Sequence, residues 1–264
     1  MNKPTLSVAL NDLKMEVRAA IQCAVTLGFR AIDVAAVNGP ISPDQLSRTA
    51  QRHLLKHLGD LGLRLGSLRG PVAGPGYADA TAGERRIETM RRVIELASSL
   101  RVPVTSTSLG LIGSQGTEGE AARLTEALTI LADHADRAGV VVAVETTGID
   151  AASLRRLLAK IDCPSLAACC DSGAMLMEGG DPNRIADTLP GRIRLVRARD
   201  AIASIAPGGG REVTQGQGNL DVERFLASLN EAAFQGDIVL ARTSGEKPAA
   251  DLHTARAAFA KILG

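Results

Sequence analysis

The sequence has no tryptophan, one tyrosine and four phenylalanines, so aromatic residues are 2% of 264 positions. Platforms that stack single-stranded bases need such rings, and a formal charge of +1 gives no basic surface for tracking phosphates. No nucleic-acid partner is expected. No apolar run approaches the ~20 residues that span a bilayer. The opening MNKPTLSVALNDLK has neither a continuous apolar segment nor a small-residue cleavage site. A cytoplasmic protein with no membrane partner is expected. The four cysteines, Cys23, Cys163, Cys169 and Cys170, lack the CxxC spacing of a zinc or redox pair and read as reduced thiols. No GxGxxG follows the first apolar run, which argues against a dinucleotide fold.

What is present is alternation. Short β-like runs at Leu6–Leu10, Ala31–Ala35, Leu63–Gly70, Pro103–Gly110, Val140–Glu145, Ser165–Asp171, Ile193–Asp200 and Asp237–Arg242 are separated by amphipathic segments. Helices are expected over Glu16–Leu27, from an N-cap at Ser42 with Pro43 following to about Leu61, and over Glu84–Leu100 and Glu118–Ala138. Further helices are expected over Ala151–Ile161, Pro182–Leu189, Val222–Ala233 and Pro248–Leu263, with a glycine-rich loop from Ala206 to Asn219. Eight βα units in one chain of this length predict a single (β/α)8 TIM barrel spanning residues 1–264, with a doubly wound open sheet as the alternative, since periodicity does not show closure.

In such a barrel the chemistry sits where the strands end. Those ends collect Asn11, Asp33, Arg69, Ser106 or Thr107, Glu145, Asp171, Arg197 with Arg199, and Arg242. Arginine outnumbers lysine by 24 to 6, so some of these arginines follow from composition alone. Glu145 and Asp171 stand out because each terminates an apolar run, VVVAV and LAACC, where a carboxylate must be paired, metal-bound or shifted in pKa. In RLVRARD, strand alternation places Arg197 and Arg199 on one face. The four histidines, His53, His57, His134 and His253, all fall in helical segments, away from the strand ends.

Taken in order, LGFRAIDVA, ISPDQL, LADHADRAGVVVAVET, LAACCDSGAML, GRIRLVRARD and QGQGNLDVERFLASL resemble the xylose-isomerase-like TIM-barrel family. That family contains sugar isomerases, sugar epimerases and, more distantly, metal-dependent abasic-site endonucleases. The resemblance implies a divalent metal, manganese, magnesium or zinc, held by a glutamate ending the fifth strand, an aspartate ending the sixth, a histidine ending the seventh and a glutamate ending the eighth. Glu145 and Asp171 match the first two. Arg197 stands at the third, Ala241 at the fourth, and Ala174 where a histidine usually follows the sixth-strand aspartate. Guanidinium stays protonated and does not ligate, so weak metal binding or none is expected, and no other cofactor.

Two functions are open. One is a sugar isomerase, epimerase or related lyase acting on a sugar-like or anionic small molecule, with Glu145 as base, Arg197 as the charge on the substrate oxygens, and Arg69, Arg199, Arg242 and Asp33 as substrate contacts. The other is a non-catalytic barrel in which Arg69, Arg197, Arg199 and Arg242, helped by Ser106, Thr107 and Ser244, hold a small anion or a protein partner. Endonuclease activity would need a full metal cluster and a basic surface. In either case Arg197 is expected to neutralise both Glu145 and Asp171.

Overall fold

Parallel strands close on themselves in the computed structural model, which describes residues 3–110, 117–203 and 209–264. The first seven are β1 (Thr5–Ala9), β2 (Ala31–Ala35), β3 (Arg64–Arg69), β4 (Val104–Thr107), β5 (Val141–Glu145), β6 (Leu166–Asp171) and β7 (Ile193–Ala198). Two short strands, β8 (Asp200–Ile202) and β9 (Arg211–Val213), pair antiparallel outside the barrel, and β10 (Asp237–Leu240) is its eighth strand. β1 pairs with both β2 and β10, so the sheet has no edge and the fold is the (β/α)8 barrel, not the open sheet.

The helices are α1 (Val17–Thr26), α2 (Arg48–Asp60), α3 (Gly83–Ser99), α4 (Glu118–Ala138), α5 (Ala151–Ile161), α6 (Ser172–Met177), α7 (Ile185–Thr188), α8 (Val222–Glu231) and α9 (Pro248–Leu263). Local chemistry sets their starts. Thr117 and Glu120 form a reciprocal capping box at α4, and Asp150 and Asp221 cap α5 and α8. The expected start of α2 at Ser42 is corrected. Ser42 closes one turn through its carbonyl, accepting from the backbone N–H of Leu46 at 3.0 Å. The chain then extends at Ser47, whose hydroxyl accepts from Ala50 and launches the helix. α6 was not anticipated; its cap is the last strand residue itself, Asp171, which accepts from the Ala174 N–H at 2.9 Å.

The stretch expected to be irregular contains β9, while its residues 206–208 lie outside the described residues. Asp200, at the start of β8, organises the glycine-rich turn beyond β9. Its buried carboxylate accepts from the backbone N–H groups of Gly216, Gly218 and Leu220 at 2.8 to 3.0 Å, so the glycines of QGQG wrap it as an anion nest. No helix among the described residues is long and apolar enough to cross a membrane.

Two cores result. The outward faces of the strands meet the helices in one large apolar cluster. The lumen holds a smaller one, Ala9, Ala143, Cys169, Leu195, Val239 and Ala241, packed against Val104. Barrel lumens are usually filled by bulky branched residues; here most are small, and the space is taken by Arg197, which is 1% exposed.

Candidate functional site

Every strand-end residue is placed by the barrel at the C-terminal mouth, but the pairings differ from those expected. Arg69 donates from Nε and Nη2 to the two oxygens of Glu145, both at 2.7 Å, in a bidentate fork. Ser106 adds a bond to Oε1 at 3.1 Å. Arg197 donates to Oδ2 of Asp33 at 2.7 Å, and Ser67 donates to Oδ1 at 2.6 Å. The Nε of Arg197 lies 3.9 Å from Glu145 and has no hydrogen-bond partner among the described residues.

Asp171 is held by Arg199, whose Nε and Nη2 reach it at 2.8 to 3.0 Å. The expectation that Arg197 serves both Glu145 and Asp171 is therefore corrected. Asp171 and Arg197 are register partners on adjacent strands. Arg199, one step past β7, is free to fold back along the mouth as a lumen side chain is not.

Further out, Glu212 on β9 bridges Arg199 at 3.3 Å and Arg242 at 3.4 Å. It also accepts from Thr243, through both the N–H and the hydroxyl. Arg242 is fixed by Asp251 of α9 at 2.8 Å and by the Ser244 hydroxyl at 3.1 Å. The small hairpin is thus pinned to the mouth by a buried carboxylate.

Burial would raise the pKa of Glu145, but the charge and hydrogen bonds of Arg69, with Arg197 and Ser106 behind them, pull it down to about 2. Burial opposes the charge on Arg197 as well, yet Asp33 and Glu145 hold it firmly protonated. Cys169, beside them in the lumen, is pushed well up by burial and is an inert thiol.

Other strand-end candidates are structural. Asn11 accepts from the Ala35 N–H at 2.7 Å and ties β1 to β2. Thr107 bonds the Tyr77 hydroxyl at 2.8 Å and the Pro71 carbonyl at 2.7 Å, away from the lumen. The histidines lie in α2, α4 and α9, as their helical settings implied. Sequence reasoning missed Asp12, Glu212, Asp251 and Arg86. Arg86 donates to the carbonyls of Pro71, Ala73, Pro75 and Ser108 at 2.8 to 3.0 Å, knitting the loop after β3. Asp12 comes just after β1, and the polar ending of LSVALND was the available signal.

Residues 21–261 match the family model described as xylose isomerase-like TIM barrel. No curated protein matches. Among solved structures, a xylose isomerase domain protein from Planctomyces limnophilus is similar at 19% identity, with TM-score 0.82 over 99% of this chain and 98% of that one. A D-allulose 3-epimerase from Methylomonas sp., in complex with D-allulose, is similar at 18% identity and TM-score 0.78, over 100% and 98%. The IOLI protein, solved with a zinc atom, is similar at 16% identity and TM-score 0.81, over 98% of each chain. At these identities the likeness is one of fold.

A divalent metal, as the last of these carries, does not fit the residues here. Among the described residues no three His, Cys, Asp or Glu side chains are grouped to hold one. The oxygens of Glu145 and Asp171 already face the guanidinium groups of Arg69 and Arg199, which would repel an added cation.

Proposed function

The chain belongs to the xylose isomerase-like TIM-barrel family, and on that premise we propose that its mouth binds a neutral, sugar-like hydroxycarbonyl compound, with guanidinium groups in place of a resident metal. The observation that carries this reading is the bidentate Arg69–Glu145 pair beside Arg197. Fixed cations at the strand ends are suited to the oxygens of such a compound, and to the negative charge an enediolate develops. Of the two ligand types expected, sugar-like or anionic, the charge balance favours the neutral one. Arg69, Arg197, Arg199 and Arg242 are all engaged by carboxylates, Asp33, Glu145, Asp171, Glu212 and Asp251. Among these residues five carboxylates face four guanidinium groups, a balance that disfavours a ligand already anionic when it binds. Sugar hydroxyls, which both donate and accept, match a rim of alternating guanidinium and carboxylate groups.

The non-catalytic reading is favoured by one observation. A Glu145 carboxylate held at about 2 with both oxygens bonded is a poor base near neutral pH. Glu145 then acts as a fixed counter-charge.

The test is calorimetric titration of EDTA-treated protein with D-allulose, D-fructose and L-ribulose, and with D-gluconate as the anionic comparison. Saturable binding of a neutral ketose without added metal, weakened in Arg69→Ala, is expected. Binding of D-gluconate alone, or ketose binding only after manganese is added, would overturn the reading.

A further inference from the structure

Asp12 lies in the short 3-10 turn Leu10–Leu13 that leaves β1, half-buried at the mouth. Its Oδ2 accepts from the backbone N–H of Arg242 at 2.9 Å, a bond that joins the ends of β1 and β10. Asp33, Glu145, Asp171, Glu212 and Asp251 each have a guanidinium partner. Asp12 has none among the described residues, and no donor there reaches its Oδ1. The charge of Arg197 acts on Asp12, and the Arg197 Nε is buried with no hydrogen-bond partner among the described residues.

Resting on the sugar reading above, we propose that Asp12 is the proton-transfer residue of this mouth, and that a single such group supports aldose–ketose isomerisation, not epimerisation. Burial raises the Asp12 carboxyl above its ordinary range, and Asp33 adds to this. The charges of Arg197 and Arg69 and the Arg242 N–H act the other way without cancelling it. A carboxylate raised in this way is a stronger base than Glu145, and closer to what proton abstraction at neutral pH needs.

The step balances without a co-reactant. The Asp12 carboxylate takes the proton from the hydroxyl-bearing carbon next to the carbonyl. The C–H electron pair becomes the carbon–carbon double bond of an enediolate, and the carbonyl pair moves onto oxygen, where Arg69 at the mouth stabilises it with the buried charge of Arg197 behind. Asp12 returns the proton to the former carbonyl carbon on the same face, while the neighbouring hydroxyl proton passes to the enediolate oxygen. The carbonyl has moved by one carbon. Epimerisation would require a second acid on the opposite face. Glu178, another carboxylate without a guanidinium partner among the described residues, lines a different cavity of about 430 Å³ between α5 and α7, and accepts from the Gly148 N–H at 3.0 Å.

The experiment incubates EDTA-treated protein with D-fructose in D2O and follows deuterium at C1 and aldose formation by NMR, with binding measured separately by calorimetry. Wild type should incorporate deuterium. Asp12→Asn should bind D-fructose with similar affinity and exchange at least ~100-fold more slowly. Asp12→Glu, which keeps the charge, should recover part of the rate. The Asp12 carboxyl carbon, identified by its loss in Asp12→Asn, should titrate above the ordinary aspartate range. Equal exchange in Asp12→Asn, or a wild type that binds D-fructose without exchange, overturns the role of Asp12 and leaves the sugar reading standing. A wild type that binds none of the ketoses overturns the sugar reading, and the proton-transfer role with it.

Discussion

Replacing Arg197 by methionine keeps much of the lumen filled and removes only the cation. Asp33, 2% exposed, then keeps the Ser67 bond to Oδ1 but loses its 2.7 Å partner at Oδ2. Glu145 loses its second positive neighbour. Stripping one member from a buried ion pair typically costs ~3 to 5 kcal/mol, because the other is left charged in a poor solvent. That is a large share of a stability of ~5 to 15 kcal/mol. Urea unfolding followed by circular dichroism at pH 7 should show the loss, and Arg197→Met with Asp33→Asn should recover most of it. The pH dependence has a definite sign. Glu145 is depressed to about 2 in the fold, so its ionic stabilisation is complete above the ordinary carboxylate range and fades as pH falls toward 2. The gap between wild type and Arg197→Met should therefore be widest at neutral pH and narrow in acid. A gap of ~1 kcal/mol or less at pH 7, as at a solvated rim, would refute the argument, as would a gap that persists unchanged in acid.

Arg69→Gln removes the main cation from Glu145. A depression of this size corresponds to about 3 kcal/mol at neutral pH, so the variant should lose stability there and unfold in acid at a higher pH than wild type, read by circular dichroism during acid titration. Gly218→Ala places a methyl group against the Asp200 carboxylate and the Ala201 carbonyl. It should cost ~1 to 3 kcal/mol by overpacking, measurable by thermal melts, and should speed amide exchange at Gly216 and Leu220.

The barrel was legible because each strand is a short apolar run ended by a polar residue, and three helices, α4, α5 and α9, could be bounded to the residue. α4 begins after Thr117 and α5 after Asp150, where cap chemistry is local. α2 starts later than Ser42–Pro43 suggests because Ser42 closes only one turn before the chain extends at Ser47, the residue that caps the helix. The positions of Glu145 and Asp171 at the mouth followed from their ending apolar runs, and strand alternation put Arg197 and Arg199 on one face. Their pairings did not follow, because which guanidinium reaches which carboxylate depends on stagger between strands. β2 and β3 slip register between Ile32 and Asp33, and β6 and β7 between Ala168 and Cys169, so Asp33 meets Ser67 across the first slip while Asp171 is level with Arg197. Asp12 and Glu212 were missed for a related reason: each reaches the mouth from an element outside the eight strands.

The central claim, that arginine side chains hold the carboxylates a metal would otherwise take, is tested most directly by titrating EDTA-treated protein with manganese and measuring bound ion per chain. No stoichiometric uptake is predicted for wild type, since Arg69 and Arg199 occupy Glu145 and Asp171. One manganese bound per chain, and lost in Glu145→Gln, would contradict it.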